Sequence, residues 1–472
     1  MEKQQQERRR RPSRRVLAGS VVGCAVLGGV LTLLPWGQRT GPAAPAPGAQ
    51  ALAAVTTGVP AALPDLAVLI EERESHLREH PEDAESWAVL GSAYVEQGRR
   101  TADAGYYPRA ERALRRSLQE RAGGNVEALG GLSALAGARR DFPAARKWGE
   151  AALKAAPKRW TTYPPLIDAY TGLGDHQAAK KALDRLLELR TGPAVLARAG
   201  GVYRDHGWRE DAAASLSDAA AGAETPAERA AYLERGGQLA FERGDRKAAL
   251  RHFQEAVRLD PDQRAALAGQ GRALASLGRT TEALNAYRVA LAKQPLPQYA
   301  LELGELYESL GLGQAARVQY DTLRDQVRRA AAGGVDGELV LGQFEADHGD
   351  PESAVRRLRA EWRRQPGIAV ADALGWALHR AGRDREALGF ARIATDGTKG
   401  GGVRSALYTY HRGMIERDLE LTGSARRHLQ EALRINPWFS TLHAPRARQA
   451  LVGLGEPADV PLPGEEGADG EG

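Results

Sequence analysis

A repeated pattern of apolar and small residues between Ala230 and Leu296 constrains this chain more than any other feature. Residues of matching type recur 34 positions apart, as Gly278 does after Gly244. The matched pairs are Leu233 and Leu267, Gly237 and Gly271, Ala240 and Leu274, Gly244 and Gly278, Ala249 and Ala283, Phe253 and Tyr287, Ala256 and Ala290, and Pro261 and Pro295. A period of about 34 residues is typical of a helical-hairpin array. We therefore predict stacked helices whose surface binds another molecule.

The spacing within one repeat predicts two helices and a turn. Leu267, Gly271 and Leu274 lie at i, i+4 and i+7, on one face of a helix. The next three small or aromatic positions have the same spacing, and Gly278 between the two sets suits a left-handed turn. Pro295 cannot continue the second helix and closes the unit. One hairpin cannot bury its apolar stripe alone, so neighbours must stack on it.

The residues Trp87, Leu90, Gly91 and Tyr94 resemble the W-x2-L-G-x2-Y opening of the tetratricopeptide repeat. The resemblance extends over about residues 65–455 and implies an all-α fold, a right-handed α-solenoid of about ten helix pairs. The predicted units are about 84–125, 126–159, 160–192, 193–229, 230–263, 264–296, 297–334, 335–367, 368–405 and 406–439.

Helices at both ends are predicted to cap this array. Residues 65–80 read as one helix ended by Pro81, which we interpret as a terminal half-unit covering the first full one. Residues 442–454 read as a final capping helix. The acidic tail that follows, 456–472, is rich in proline and glycine and is predicted to be disordered.

The net charge of +5 is concentrated at the N-terminus. Residues 1–15 hold seven basic and two acidic side chains, so the rest of the chain sums to zero. The repeat array is therefore not a basic nucleic-acid binder, and we expect no nucleic-acid partner.

An uncharged segment, residues 16–36, follows this basic head. About 20 apolar residues are enough to cross a bilayer as a helix, and flanking arginines favour a cytoplasmic N-terminus. We predict an uncleaved signal anchor with the repeats outside the cytoplasm. Two alternatives stay open: a cleaved export signal with a site at 49–51, giving a secreted protein, and a lipoprotein acylated at Cys24. Residues 37–64 are predicted to form a disordered alanine- and proline-rich linker.

The sequence offers no constellation that indicates an enzyme. Cys24 is the only cysteine, and no phosphate-binding loop or nucleophile motif is present. His76 and His80 match an H-x-x-E-H zinc pattern, but Pro81 ends that helix, and an exposed histidine pair is the simpler interpretation. We predict no catalytic residue, no cofactor and no metal.

The family resemblance implies that the first helices of successive units line a concave groove. The groove positions that lie off the consensus stripe are Glu96, Asp168, Arg204, Glu234, Gln238, Arg272, Glu305, Glu308, Gln343, Asp347, Asp372, Trp376, His379, Tyr410 and Arg417. We single out Trp376 as the first choice for a partner contact, with packing against unit ten as the alternative. The groove from Glu305 to Asp372 is mainly acidic, which favours a basic or neutral partner segment.

These features predict a membrane-tethered, extracytoplasmic scaffold that binds protein partners, as a peptide or a helix in the groove. Two other hypotheses remain: a metal-handling or enzymatic protein that uses the groove, and a regulatory repeat protein that faces the cytoplasm.

Overall fold

The computed structural model describes residues 46–397 and 402–455, and within these ranges the chain is helical with no β-strand. The basic head, the apolar segment 16–36 and the acidic tail lie outside the described residues. No helix in the described ranges is long and apolar enough to span a membrane.

Twenty-three α-helices are found in the part of the chain that the structure describes. In chain order they are α1 (Pro47–Thr57), α2 (Leu63–Glu79), α3 (Ala84–Thr101), α4 (Tyr106–Glu120), α5 (Val126–Ala138), α6 (Phe142–Ala155), α7 (Tyr163–Gly172), α8 (His176–Leu189), α9 (Pro193–Asp205), α10 (Arg209–Gly222), α11 (Pro226–Glu242), α12 (Arg246–Leu259), α13 (Arg264–Ser276), α14 (Thr280–Lys293), α15 (Pro297–Ser309), α16 (Gly313–Ala332), α17 (Glu338–His348), α18 (Pro351–Arg364), α19 (Ile368–Arg380), α20 (Asp384–Thr395), α21 (Ala406–Asp418), α22 (Thr422–Ile435) and α23 (His443–Gly453).

Ten helix pairs, from α3–α4 to α21–α22, correspond one to one with the ten predicted units, and α23 is the predicted final helix. Each turn within a pair follows from local chemistry. Gly244 and Gly278 have φ values of 82° and 76°, a left-handed conformation that glycine adopts without strain. Asp245 then caps α12 by accepting a hydrogen bond from the Ala248 amide at 2.9 Å. The unit boundaries were thus predictable from short-range signals.

The structure differs from the prediction of an unpacked linker over 37–64. Residues 47–57 form α1, which Gly58 ends at φ 72°. Ala51 of α1 is buried in a cluster with Leu66 and Leu69 of α2 and with Val89 of α3. Because α1 covers α2 and α3 in this way, α2 is the second helix of an eleventh pair and not a terminal half-unit. Burial of small apolar side chains stabilises a helix that composition alone does not indicate.

The two helices of a unit approach closely at glycine. An ideal Cβ at Gly271 would lie 2.7 Å from the Tyr287 ring, whereas a Cβ at Gly236, also helical, meets nothing within 4 Å. We expect Gly271→Ala to lower the free energy of unfolding by about 1–3 kcal/mol through overpacking. Gly236→Ala should raise it by about 0.5–1 kcal/mol, since alanine favours the helix. Urea unfolding of both variants checks this; equal effects would contradict the close approach.

Contacts at a constant sequence separation join distant units. Side chains hydrogen-bond to backbone carbonyls 194 or 195 residues away at four places. They are Gln294 Nε2 to Arg99 (3.1 Å), Arg139 Nε to Gly333 (2.8 Å), Arg209 Nη2 to Arg404, and Asn436 Nδ2 to Phe241 (2.8 Å). In each pair, one partner lies at a turn inside a unit and the other at a connection between two units. The array therefore completes one superhelical turn in about six units of 34 residues, so that units of successive turns are in contact. We call the space inside these turns the lumen.

Candidate functional site

The lumen wall of the central units carries a ladder of paired polar side chains. Arg204 donates two hydrogen bonds to the Glu242 carboxylate, both at 2.7 Å. Gln238 donates to Glu242 at 2.9 Å and accepts a hydrogen bond from Arg272. Arg272 in turn donates to Glu302 at 3.1 and 2.9 Å. Three of the predicted partner-contact residues, Arg204, Gln238 and Arg272, are therefore engaged with neighbouring units.

The acidic positions of α15 are also compensated within the protein. His348 Nδ1 lies 3.1 Å from Glu308, and its Nε2 lies 3.7 Å from Glu305. Tyr320 donates a hydrogen bond to Glu308 at 2.8 Å. The predicted acidity of this part of the groove is thus offset in part by His348, which was not among the predicted groove residues.

His348 gives this part of the wall a defined pH dependence. Burial lowers the pKa of His348, but the nearby carboxylates of Glu305 and Glu308 outweigh it, so the pKa is raised. A raised folded-state pKa stabilises the protein below the unfolded value of about 6.5, and this contribution is lost as the pH rises through the folded-state pKa. We therefore expect the stability advantage of wild type over His348→Gln to shrink between pH 5.5 and pH 9.

His252 provides a control of opposite sign for that measurement. Burial, followed by the charge of Arg251, lowers the pKa of His252. Wild type should therefore lose stability relative to His252→Gln as the pH falls below about 6.5. Thermal unfolding at several pH values measures both differences, and a pH-independent difference for His348→Gln would contradict the assigned pairing.

Three predicted partner contacts in the last units are buried and correct the sequence-based interpretation. Trp376 is 5% exposed; it stacks on His411 with ring centroids 4.2 Å apart and donates to Asp347 at 3.1 Å. Asp372 lies 3.0 Å from His411 Nδ1, and Tyr410 packs against Trp376 at 5.7 Å. Trp376 therefore packs against unit ten, which was the alternative to its choice as first partner contact. The indole points away from its own helix pair and into the next one.

The other predicted residues at the two ends of the lumen are paired as well. His379 Nδ1 lies 2.5 Å from Asp384, and Arg417 donates to Asp418 at 2.7 Å. Near the N-terminus, Glu96 accepts two hydrogen bonds from Arg99, at 2.8 and 2.7 Å. Asp168 forms an ion pair with Arg198.

Three of the fifteen predicted residues make no side-chain hydrogen bond or ion pair with any residue in 46–397 or 402–455. One of them, Tyr410, is buried and makes only ring contacts. The other two are Glu234 and Gln343. Both line a cavity of about 840 Å³. A second cavity, of about 530 Å³, adjoins it and shares the lining residues Arg99 and Arg235. We call the two cavities together the central chamber. Its walls come from α3, α5 and α11, the connections before α13 and α15, and helix α17.

Arg235 is the chamber residue that sequence reasoning missed. Like Glu234 and Gln343, its side chain has no hydrogen bond or ion pair to the described residues. Burial lowers the pKa of Arg235, and the charge of Arg198 lowers it further. Burial raises the pKa of Glu234 despite the nearby charge of Arg235. Arg235 is adjacent to Glu234 on the first helix of its unit, and that position was the only signal that could have found it.

No group of three or more histidine, cysteine, aspartate and glutamate side chains that could hold a metal ion occurs in the described residues. In the H-x-x-E-H segment, His76 Nε2 lies 3.0 Å from Asp83, the residue that caps α3. His76 is thus paired with a helix-capping carboxylate.

Comparison with protein families identifies the repeat. Residues 168–192 and residues 235–297 each match a model of the tetratricopeptide repeat. The chain therefore carries tetratricopeptide repeats in these two segments. The longer match covers the C-terminal part of α11 together with α12 to α14, in the middle of the lumen wall. No curated protein matches the chain by sequence.

Solved structures resemble the chain at low identity. They include the human IFIT1 dimer with PPP-AAAA (16% identity, TM-score 0.46, 70% of this chain and 77% of that chain), a tetratricopeptide repeat protein from Parabacteroides merdae (18%, 0.32, 56% and 98%) and the APC/C hetero-tetramer Cut9-Hcn1 (15%, 0.39, 84% and 82%). With identities this low and TM-scores below 0.5, these likenesses assign no ligand or partner to this chain.

Proposed function

We propose that the protein is a membrane-tethered, extracytoplasmic scaffold that binds an extended segment of a partner protein in its central chamber. The proposal rests on the difference between polar side chains of the lumen that are paired within the protein and those that are not. The ladder residues Arg204, Gln238 and Arg272 are paired with neighbouring units. In contrast, Glu234, Arg235 and Gln343 line the chamber and have no side-chain hydrogen bond or ion pair to the residues that the structure describes.

The size and lining of the chamber suit a peptide. Volumes of about 300–1,000 Å³ are typical of ligand sites, and the two cavities measure about 840 and 530 Å³. Apolar side chains such as Tyr299 and Leu339 line the chamber beside the unpaired polar groups. A partner chain can bury its side chains there and place its polar groups on Glu234, Arg235 and Gln343.

A photo-crosslinking amino acid placed at position 343 tests this function in cells. It should capture a protein that is absent when the same amino acid is placed at position 251, which is exposed on the second helix of its unit. The captured protein, once purified, should bind the purified full-length chain. Capture of the same proteins from both positions, or of none from position 343, would contradict binding in the chamber.

The tether is proposed from the sequence alone, because residues 16–36 lie outside the described residues. An uncharged 21-residue segment after an arginine-rich head favours a spanning helix with the C-terminal bulk outside. Protease added to intact cells should degrade the repeats and leave a short membrane-bound fragment. Repeats protected from the protease would place them in the cytoplasm, and a shortened or lipid-modified N-terminus would favour cleavage or acylation.

A further inference from the structure

We infer that the partner segment presents one isolated aspartate or glutamate side chain to Arg235; this inference rests on the proposed function. It reverses the charge preference that the acidic residues of α15 to α19 suggest in the sequence. In the structure those acids have partners. Three chamber-lining arginines, Arg140, Arg235 and Arg329, form no ion pair with the described residues, and only Arg235 of these lines both cavities.

Three arginines converge where the two cavities meet, and only one of them is without a carboxylate. Arg99 is neutralised by Glu96, which accepts two of its hydrogen bonds. Arg198 is neutralised by Asp168. Arg235, from the next unit, lines both cavities and has no such partner among the described residues. A carboxylate from outside would complete this third pair, and a charge-assisted hydrogen bond to arginine is among the stronger polar contacts.

The charges around Arg235 favour a single carboxylate over a polyanion. Eight arginines and seven carboxylates line the central chamber, and no lysine does, so its formal charge is +1. Glu234, the neighbour of Arg235, is itself unpaired and would repel a second anion. A nucleic acid brings one negative charge per phosphate and is held by many cations at once. Five of the eight chamber arginines are already ion-paired with carboxylates of the described residues, which favours a peptide with one acidic residue over a polyanion.

The second feature of the segment follows from Glu234 and Gln343. When Glu234 is ionised, it accepts hydrogen bonds but cannot donate them, whereas Gln343 can both donate and accept. A backbone amide or a hydroxyl group next to the acidic residue would meet both requirements. The recognition element is thus an acidic residue flanked by small polar residues, in an otherwise apolar segment.

A phage-displayed library of twelve-residue peptides, selected on the purified full-length chain, tests the inference. Selected peptides should share an aspartate or glutamate at one position. Changing that residue to its amide should weaken binding to wild type about tenfold to a hundredfold. With Arg235→Gln the acid and amide peptides should bind equally, whereas with Arg251→Gln, which removes an exposed arginine, the preference should persist. The Arg235 side chain has no hydrogen bond or ion pair to lose within 46–397 and 402–455, and a thermal melt verifies that the variant is folded.

The alternative outcomes separate this inference from the proposed function. Peptides that bind without an acidic preference, or with one that survives Arg235→Gln, would overturn the inference and leave the scaffold function standing. If no peptide is enriched over background, both are overturned. Twelve-residue oligoadenylate RNA binding more tightly than any peptide, in a way that depends on Arg235, would assign the chamber to nucleic acid and overturn both as well.

Discussion

Replacing Arg100 by methionine is expected to destabilise the protein by about 3–5 kcal/mol, because it leaves a buried carboxylate without its counter-charge. The Arg100 side chain is 6% exposed and donates to Asp260 at 2.6 Å. It also donates to the carbonyl of Ala61, so it joins α1–α2 to the connection before α13. Urea-induced unfolding followed by circular dichroism measures the loss.

Arg115→Met provides the control for that experiment. Arg115 forms a 2.8 Å ion pair with Glu111 one helical turn away, and its side chain is 58% exposed. Exposed pairs of this kind contribute about 0–1 kcal/mol. Losses of similar size in the two variants would show that the contact of Arg100 with Asp260, which joins distant units, does not stabilise the fold.

Trp376→Ala is the second large effect, and it tests the corrected role of that residue. Truncation of a buried tryptophan costs about 3–5 kcal/mol, and here it would remove the ring stacked on His411 and leave Asp347 without its indole donor. We expect the variant to show a lower denaturation midpoint. Trp208, which is 44% exposed, serves as the control, and Trp208→Ala should change stability by less than about 1 kcal/mol.

The two tryptophan variants also separate packing from partner binding. If Trp376→Ala kept wild-type stability but abolished capture by the crosslinker at position 343, the surface role predicted from the sequence would be restored. A stability loss confined to Trp208→Ala would contradict the observed burial of Trp376 and the exposure of Trp208.

The ten repeats were predictable because the signals that make them are local. Glycine turns such as Gly278 and helix-closing residues such as Pro295 act over a few residues and recur at one spacing. Helix α1 was missed since its sequence, PGAQALAAVTT, has neither a charge nor an aromatic residue. Only its burial against α2 and α3 makes it a helix, and that contact is not written in its own composition.

The chamber residues were only partly predictable, for a related reason. Resemblance to the repeat family places Glu234 and Gln343 on the lumen side, but it gives the same place to Asp372 and Trp376, which are buried. Whether such a position faces open space depends on how neighbouring units rotate and on contacts 194 or 195 residues away. Arg235 owes its lack of a partner to that long-range arrangement.

The four contacts between residues 194 or 195 positions apart limit how this array can change in length. In an ordinary solenoid each repeat touches only its neighbours, so whole repeats can be gained or lost with little effect on the others. Here, removing one 34-residue unit between residues 241 and 436 would leave Asn436 a full repeat out of step with the Phe241 carbonyl. Every other such contact that spans the removed unit would be displaced in the same way. The number of repeats is therefore fixed in the middle of the array, and units can be gained or lost only at its two ends.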